Sequence, residues 1–277
     1  YCKGPVTAGT YTIPGGVSSQ FISGLLFALP LLTGDSRIVI EGKLESAAYV
    51  AMTEQAVREA GIRILKEENG YFIPGGQKYH AKAYETVEKD WSGAAFYLCM
   101  GALGTEGITV SGLRNDSLQG DRAILNILKG FGAEVTERAA GIHVKRGALM
   151  KPQTIDASEI PDLVPVISVL AAGIAGETRI IHAERLRFKE SDRLTTTEAL
   201  IRSLGGNAEQ TADGLLIKGT GALTGGTADP FKDHRIAMSA AVAASICREP
   251  VTIKDAECAG KSYPGFYQDL EQLEVTG

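Results

Sequence analysis

The chain has 277 residues and a formal net charge of -5, with 44% hydrophobic and 22% charged residues. That length suits one large domain or two smaller ones, and the composition is ordinary for a globular protein. The acidic balance argues against non-specific nucleic-acid binding, and the longest apolar stretch, Phe21 to Leu32, is too short for a bilayer and contains Pro30.

The opening Tyr1-Cys2-Lys3-Gly4-Pro5-Val6 reads as the middle of something already under way, so a fragment of a longer protein is expected. The four cysteines, Cys2, Cys99, Cys247 and Cys258, form no CxxC and no metal spacing. Free thiols in a reducing cytosol are expected. The four histidines are far apart, which speaks against a zinc site.

Along the chain one pattern recurs at intervals of about 70 residues. A polar start leads into an apolar helical run, a Gly or charged turn, and a short β-branched strand. The first example runs from Leu25-Leu26-Phe27-Ala28 through Gly34-Asp35-Ser36 to Ile38-Val39-Ile40. The second runs from Tyr97-Leu98-Cys99-Met100 to Ile108-Thr109-Val110, the third from Ile167-Ser168-Val169-Leu170 to Arg179-Ile180-Ile181. The fourth runs from Ala240-Ala241-Val242-Ala243 to Val251-Thr252-Ile253. A second helix follows each strand, and three of these end at Gly61, Gly132 and Gly205, the signature of a left-handed C-terminal cap. Two extended segments come next. The unit is strand, helix, strand, helix, strand, strand, and four copies are visible, the last ending at its second helix.

The unusual residues sit at the helix starts. First helices begin at Ser18-Ser19-Gln20, Ser92-Gly93, Pro161-Asp162 and Asp233-His234-Arg235; second helices begin near Ser46, Gln119-Gly120-Asp121, Lys189-Glu190-Ser191 and Lys261-Ser262. A solenoid-like core is one outcome of such a repeat. Packing about a pseudo-threefold axis is another, and it would turn several helix N-termini the same way. Each N-terminus carries unpaired N–H groups and about half a positive charge, so their convergence makes an anion site.

Each motif carries two readings. Ser18 and Ser19 suit a helix cap or, with Gln20, a phosphate. Asp162 suits a cap or a general base. Lys189-Glu190-Ser191-Asp192-Arg193 suits a solvated helical face, with Lys189 and Arg193 four apart, or a site for an anion whose proton must move. Arg235 stands against the helix dipole, as a residue awaiting an anion would. Gly260-Lys261-Ser262 resembles the tail of a P-loop, but Asp255 occupies the position of the required glycine, which excludes that route to ATP. Gly219 to Gly226 reads as a hairpin turn.

Taken in order, Gly15-Gly16-Val17-Ser18-Ser19-Gln20-Phe21, Glu45-Ser46-Ala47-Ala48-Tyr49, Ile160-Pro161-Asp162, Arg187-Phe188-Lys189-Glu190-Ser191-Asp192-Arg193, Asp233-His234-Arg235 and Gly260-Lys261-Ser262-Tyr263-Pro264 resemble the 5-enolpyruvylshikimate-3-phosphate synthase family over essentially the whole chain. The resemblance implies an α/β, enolpyruvyl transferase-like fold of βαβαββ units around pseudo-threefold axes, incomplete in this chain. Residues 1–85 would be the last repeat of a first-half domain, and 86–277 a three-repeat domain with a short final repeat. This would be the C-terminal portion of the enzyme.

The resemblance also implies roles. Ser18, Ser19, Gln20, Ser46, Tyr49 and Lys189 match positions that bind shikimate 3-phosphate. Gln20, Arg193, Arg235 and Lys261 match positions that bind phosphoenolpyruvate. Asp162 matches the proton acceptor for the attacking hydroxyl, and Glu190 a carboxylate in proton traffic at the methylene carbon. Neither metal nor organic cofactor is implied. The expected partners are these two small anions, with no nucleic acid, no membrane, a cytoplasmic setting and a monomeric full-length protein.

Two departures stand out. Arg185 occupies a position where some members have a substrate-contacting Asn, and it is left out of the site. The family's Lys-Ser…Arg cluster and its Gly-rich loop with a second Arg are absent from this sequence, so the chain by itself is expected to be inactive. Two other readings share parts of the pattern. UDP-N-acetylglucosamine enolpyruvyl transferase shares the fold but lacks the Lys-Glu-Ser-Asp-Arg pattern. A non-catalytic, anion-binding repeat module would need only the cationic helix starts.

Overall fold

The computed structural model describes residues 4–80, 83–84, 86–138 and 140–273; Cys2 lies outside them. The chain divides into two compact units, Tyr1–Val87 with Asp116–Gly120, and Glu88–Asn115 with Asp121–Gly277.

In the first unit, β1 (Thr10–Pro14), α1 (Ser19–Ala28), β2 (Ser36–Glu41), α2 (Ala47–Glu59), β3 (Leu65–Glu67) and β4 (Gly70–Ile73) make one complete βαβαββ copy. The sheet order is β1-β2-β4-β3. β1 and β2 run parallel, with Tyr11 opposite Ile38 and Ile13 opposite Ile40, while β4 is antiparallel to both β2 and β3. The core holds Ile22, Leu26, Ile38, Val50, Val57, Tyr71 and Ile73. Helix α1 buries only Ser19, Ile22 and Leu26 along its length and leaves Phe21 and Phe27 exposed.

The second unit continues the series with α3 (Trp91–Leu103), β5 (Ile108–Val110), α4 (Ile124–Phe131), β6 (Glu134–Arg138) and β7 (Gly141–Lys145). A complete copy follows in β8 (Thr154–Asp156), α5 (Val164–Ala172), β9 (Gly176–Ile181), α6 (Arg193–Ser203), β10 (Asn207–Gln210) and β11 (Leu215–Gly219). The last copy holds β12 (Gly226–Ala228), α7 (His234–Ala244), β13 (Val251–Ile253) and α8 (Phe266–Leu273). The sheet β8-β9-β11-β10 repeats the order and strand senses of the first unit's sheet. β12 and β13 form the parallel pair of the next copy, and β5-β7-β6 the antiparallel part of the preceding one.

The first helices of the second unit's copies, α3, α5 and α7, pack against one another. All nine residues of α5 are buried, and its one hydroxyl, Ser168 Oγ, donates to the Val164 carbonyl at 2.8 Å. Each Leu, Ile or Val side chain buried there contributes roughly 1.5–3 kcal/mol. No helix among the described residues is long and apolar enough to cross a membrane.

Gly61, Gly132 and Gly205 all take positive φ, as helix-ending glycines should. Gly132 has a second constraint: a Cβ there would collide with the Leu149 carbonyl.

Two expectations need correction. The Lys189–Arg193 segment is not one helical turn. Lys189 is extended (φ -89°, ψ -160°) after a 3₁₀ turn at Glu184–Phe188, and α6 begins only at Arg193. The Asp192 carboxylate accepts from Thr195 N at 3.2 Å and so fixes the helix start there. Gly219 to Gly226 is not a hairpin, because β12 leaves β11 and pairs in parallel with β13.

Gly132→Ala should lower the unfolding free energy by about 1–3 kcal/mol, through backbone strain and the Leu149 clash. Urea denaturation measures this; unchanged stability would contradict the left-handed cap.

Candidate active site

Parallel strand pairs put the carboxyl ends of both strands on one edge, and the segments after those ends are where α/β folds gather ligand groups. Here Asp162 follows β8, and Lys189, Glu190 and Arg193 follow β9. Asp233 and Arg235 follow β12, and Lys261 follows β13 in a 3₁₀ turn, Ala256–Lys261. Four strand ends thus bring charged groups to one place.

Arg193 is the centre, with a side chain only 1% exposed. Its Nε donates to Asp233 Oδ2 at 2.8 Å, Nη1 to Asp162 Oδ1 at 2.7 Å and Nη2 to Glu190 Oε2 at 2.7 Å. Arg235 Nη2 donates to Asp162 Oδ2 at 3.2 Å, and Lys189 Nζ lies 3.7 Å from Asp162 Oδ1. Lys261 Nζ donates to Glu190 Oε1 at 2.9 Å.

Electrostatics follow from this packing. Burial alone would raise the Asp162 carboxyl, but Arg235, Lys189 and Arg193 outweigh it and hold the group well below the usual carboxylate range. Glu190 is likewise raised by burial and then lowered, to about 2, by Lys261 and Arg193. Burial, then the neighbouring Arg235 charge, depresses His234, whose Nδ1 is buried without a hydrogen-bond partner. Among the described residues no group of three or more His, Cys, Asp and Glu is placed to hold a metal ion.

The structure therefore brings together Asp162, Lys189, Glu190, Arg193, Arg235 and Lys261. Asp162 turns its carboxylate onto three cations, and neither Pro161–Leu163 nor α5 carries a side-chain cap. The remaining candidates lie in the first unit at equivalent strand ends. Ser18 is the N-cap of α1, its Oγ accepting from Gln20 N at 3.2 Å, a bond that uses a lone pair of the hydroxyl and not its O–H donor. Ser19 is buried and Gln20 exposed. Ser46 is the buried N-cap of α2 in the left-handed conformation, with Tyr49 N donating to its carbonyl at 3.1 Å. Glu45 N donates to the Gly15 carbonyl at 3.1 Å and ties the two helix entrances together.

Asp233 was not among the residues assigned a role. It is fully buried, caps α7 by accepting from Arg235 N at 3.0 Å, and takes the Ser191 hydroxyl at 3.0 Å as well as Arg193. Asp121 was missed too. Its carboxyl accepts a very short hydrogen bond from Ser92 Oγ, and its other oxygen is buried without a partner. Burial pushes this carboxyl up to about 6 despite the Ser92 bond, helped by the Asp162 charge. The signal available in sequence was position: Ser92 and Asp121 stand at the two helix starts of their copy. Arg185 Nη2 makes a very short bond to the Ser158 carbonyl, which ties the Glu184–Phe188 turn to the loop leading to Asp162.

Residues 3–270 match the family model described as EPSP synthase (3-phosphoshikimate 1-carboxyvinyltransferase). The proteins of that activity name from Clostridium kluyveri and Clostridium acetobutylicum are 45% and 46% identical to the chain over 98% of it, covering 63% and 62% of their own length. Among solved structures, an EPSP synthase from Acinetobacter baumannii aligns with a TM-score of 0.80 at 27% identity, over 96% of this chain and 62% of that one. The enolpyruvyl transferase NikO from Streptomyces tendae aligns at 0.76 and 18% identity over 97% of this chain and 64% of that one, which speaks to fold alone. The chain thus spans a little under two thirds of the relatives' length, a share that does not bear out a specifically C-terminal portion.

Two outcomes test the charges. Asp233→Ala should cost about 3–5 kcal/mol, since it removes the fully buried partner of a buried cation and, with it, the α7 cap; chemical denaturation reads it, and a loss below 1 kcal/mol would contradict the network. Asp121 carries a raised carboxyl, so the folded state holds its proton more tightly than the unfolded chain does. Its stability penalty grows as pH rises from the ordinary aspartate range, about 4, through about 6. Asp121→Asn should therefore raise the melting temperature at pH 8 relative to its effect at pH 4; an equal change at both would refute the shift.

Proposed function

The chain belongs to the EPSP synthase family, and we propose that it forms part of an enzyme transferring the enolpyruvyl group of phosphoenolpyruvate to the 5-hydroxyl of shikimate 3-phosphate. The products are 5-enolpyruvylshikimate 3-phosphate and phosphate. The observation that carries this is the cluster of four cations threaded by carboxylates at four strand ends.

Its chemistry suits both halves of the reaction. Arg193, Arg235 and Lys261 hold the donor's carboxylate and phosphate, with Gln20 also assigned to it. Ser18, Ser19, Gln20, Ser46, Tyr49 and Lys189 are assigned to the phosphorylated ring substrate. Asp162 takes the proton of the ring hydroxyl as its oxygen adds to the substituted carbon of the enol. The methylene carbon takes up a proton, and Glu190 is assigned to the proton traffic there. In the second step that carbon gives a proton to Glu190, the C–H electron pair restores the double bond, and the C–O bond breaks with its electron pair leaving on phosphate. The cations offset negative charge on the departing phosphate, a preorganised electrostatic contribution.

The test is turnover with both substrates. The 277-residue chain should give no product by itself, whereas the same residues within a chain of the relatives' full length should. Equal rates from both would overturn the first statement, and no product from the longer chain would sink the function. UDP-N-acetylglucosamine in place of shikimate 3-phosphate is the discriminating arm. In the longer chain Arg235→Ala should raise the phosphoenolpyruvate KM, at a cost of about 2–5 kcal/mol for a buried charge contact; an unchanged KM would remove Arg235 from the donor site.

A further inference from the structure

Every nitrogen of the Arg193 guanidinium already faces a carboxylate oxygen. The outer oxygens extend the pattern. Asp162 spans Arg193 and Arg235, at 2.7 and 3.2 Å, and Glu190 spans Arg193 and Lys261, at 2.7 and 2.9 Å. These are the three cations that the proposed function gives to the donor.

A carboxylate bridging two cations makes the same contacts that a ligand carboxylate or phosphate would make with them. Ligand and side chain compete for the same N–H groups. The three carboxylates differ in how tightly they are held. Asp233 is fully buried, caps α7 and takes the Ser191 hydroxyl, so it is fixed. Glu190, with 31% of its side chain exposed, and Asp162, with 17%, keep part of their surface in solvent.

We propose that Asp162 and Glu190 are internal counter-anions, which the anionic groups of the donor displace from Arg193, Arg235 and Lys261 on binding, while Asp233 remains. Two consequences follow. First, the bonds that keep these carboxylates ionised also make them poor proton carriers, so losing them restores basicity as substrate arrives. Binding and activation become one event. Second, a single anion competes with one bridge at a time whereas a ligand with two anionic groups replaces both, which favours a phosphorylated carboxylate over a simple carboxylate. This rests on reading the cluster as an anion site, not on the identity of the product.

The probe is sulfate, titrated calorimetrically at low ionic strength into the 277-residue chain. Competition predicts that Glu190→Gln binds sulfate about tenfold more tightly than the unaltered chain, the scale of one charged contact. Glu190→Asp keeps the charge but is too short to bridge, and it should tighten binding as well; a general field effect would leave it unchanged. Asp162→Asn should act in the same direction as Glu190→Gln, and circular dichroism confirms that each variant is folded. Weaker or equal sulfate binding by the folded variants, or no binding by any of them, would overturn the proposal. Tighter binding without carboxyvinyl transfer in the longer chain would remove the function and leave this inference standing.

Discussion

A guanidinium buried to 1% exposure must be met by anions, because leaving water unpaired costs several kcal/mol. Arg193 is that group, and its three carboxylates come from three different strand ends. Asp162 arrives from β8, Glu190 from β9 and Asp233 from β12. Meeting all three fixes the separation and register of the last two copies of the repeat. The helices behind them obey a second condition, since α3, α5 and α7 bury nearly every side chain. Packing holds the helices, and the charge network holds their starts.

The repeat uses one position for different chemistry in each copy. After the strands of the first unit come hydroxyls and an amide, Ser18, Ser19, Gln20 and Ser46. In the next copy the same positions hold Ser92 and Asp121, joined by a hydrogen bond. Carboxylates and cations alternate in the third, and the fourth adds Arg235 and Lys261. The fold supplies a place, and the side chain sets whether it takes a proton, an anion or a helix cap.

The repeat was legible because its punctuation is local. Helix-ending glycines and β-branched strands need only their neighbours to be recognised, and Gly61, Gly132 and Gly205 behave as their positions require. The site was half legible. Lys189 and Arg193 do converge on Asp162, but not through a shared helical face, since the Asp192 cap starts α6 at Arg193 and leaves Lys189 outside it. Spacing alone could not weigh that cap against a charged helical turn. The role of Asp233 is not legible in sequence for another reason. Its ion pair joins residues 40 apart in sequence, in different copies, and only tertiary packing makes such a contact.

Asp233 serves two elements with one carboxylate: it closes the first turn of α7 and it anchors a guanidinium on α6. The two bonds ask for different directions from a side chain with a single methylene. Glutamate, one carbon longer, cannot keep both geometries, and asparagine keeps the cap while surrendering the charge. The word Asp-His-Arg is therefore spelled by stereochemistry as much as by charge. A drift in sequence that looks conservative on paper would here uncouple the helix start from the ion it carries.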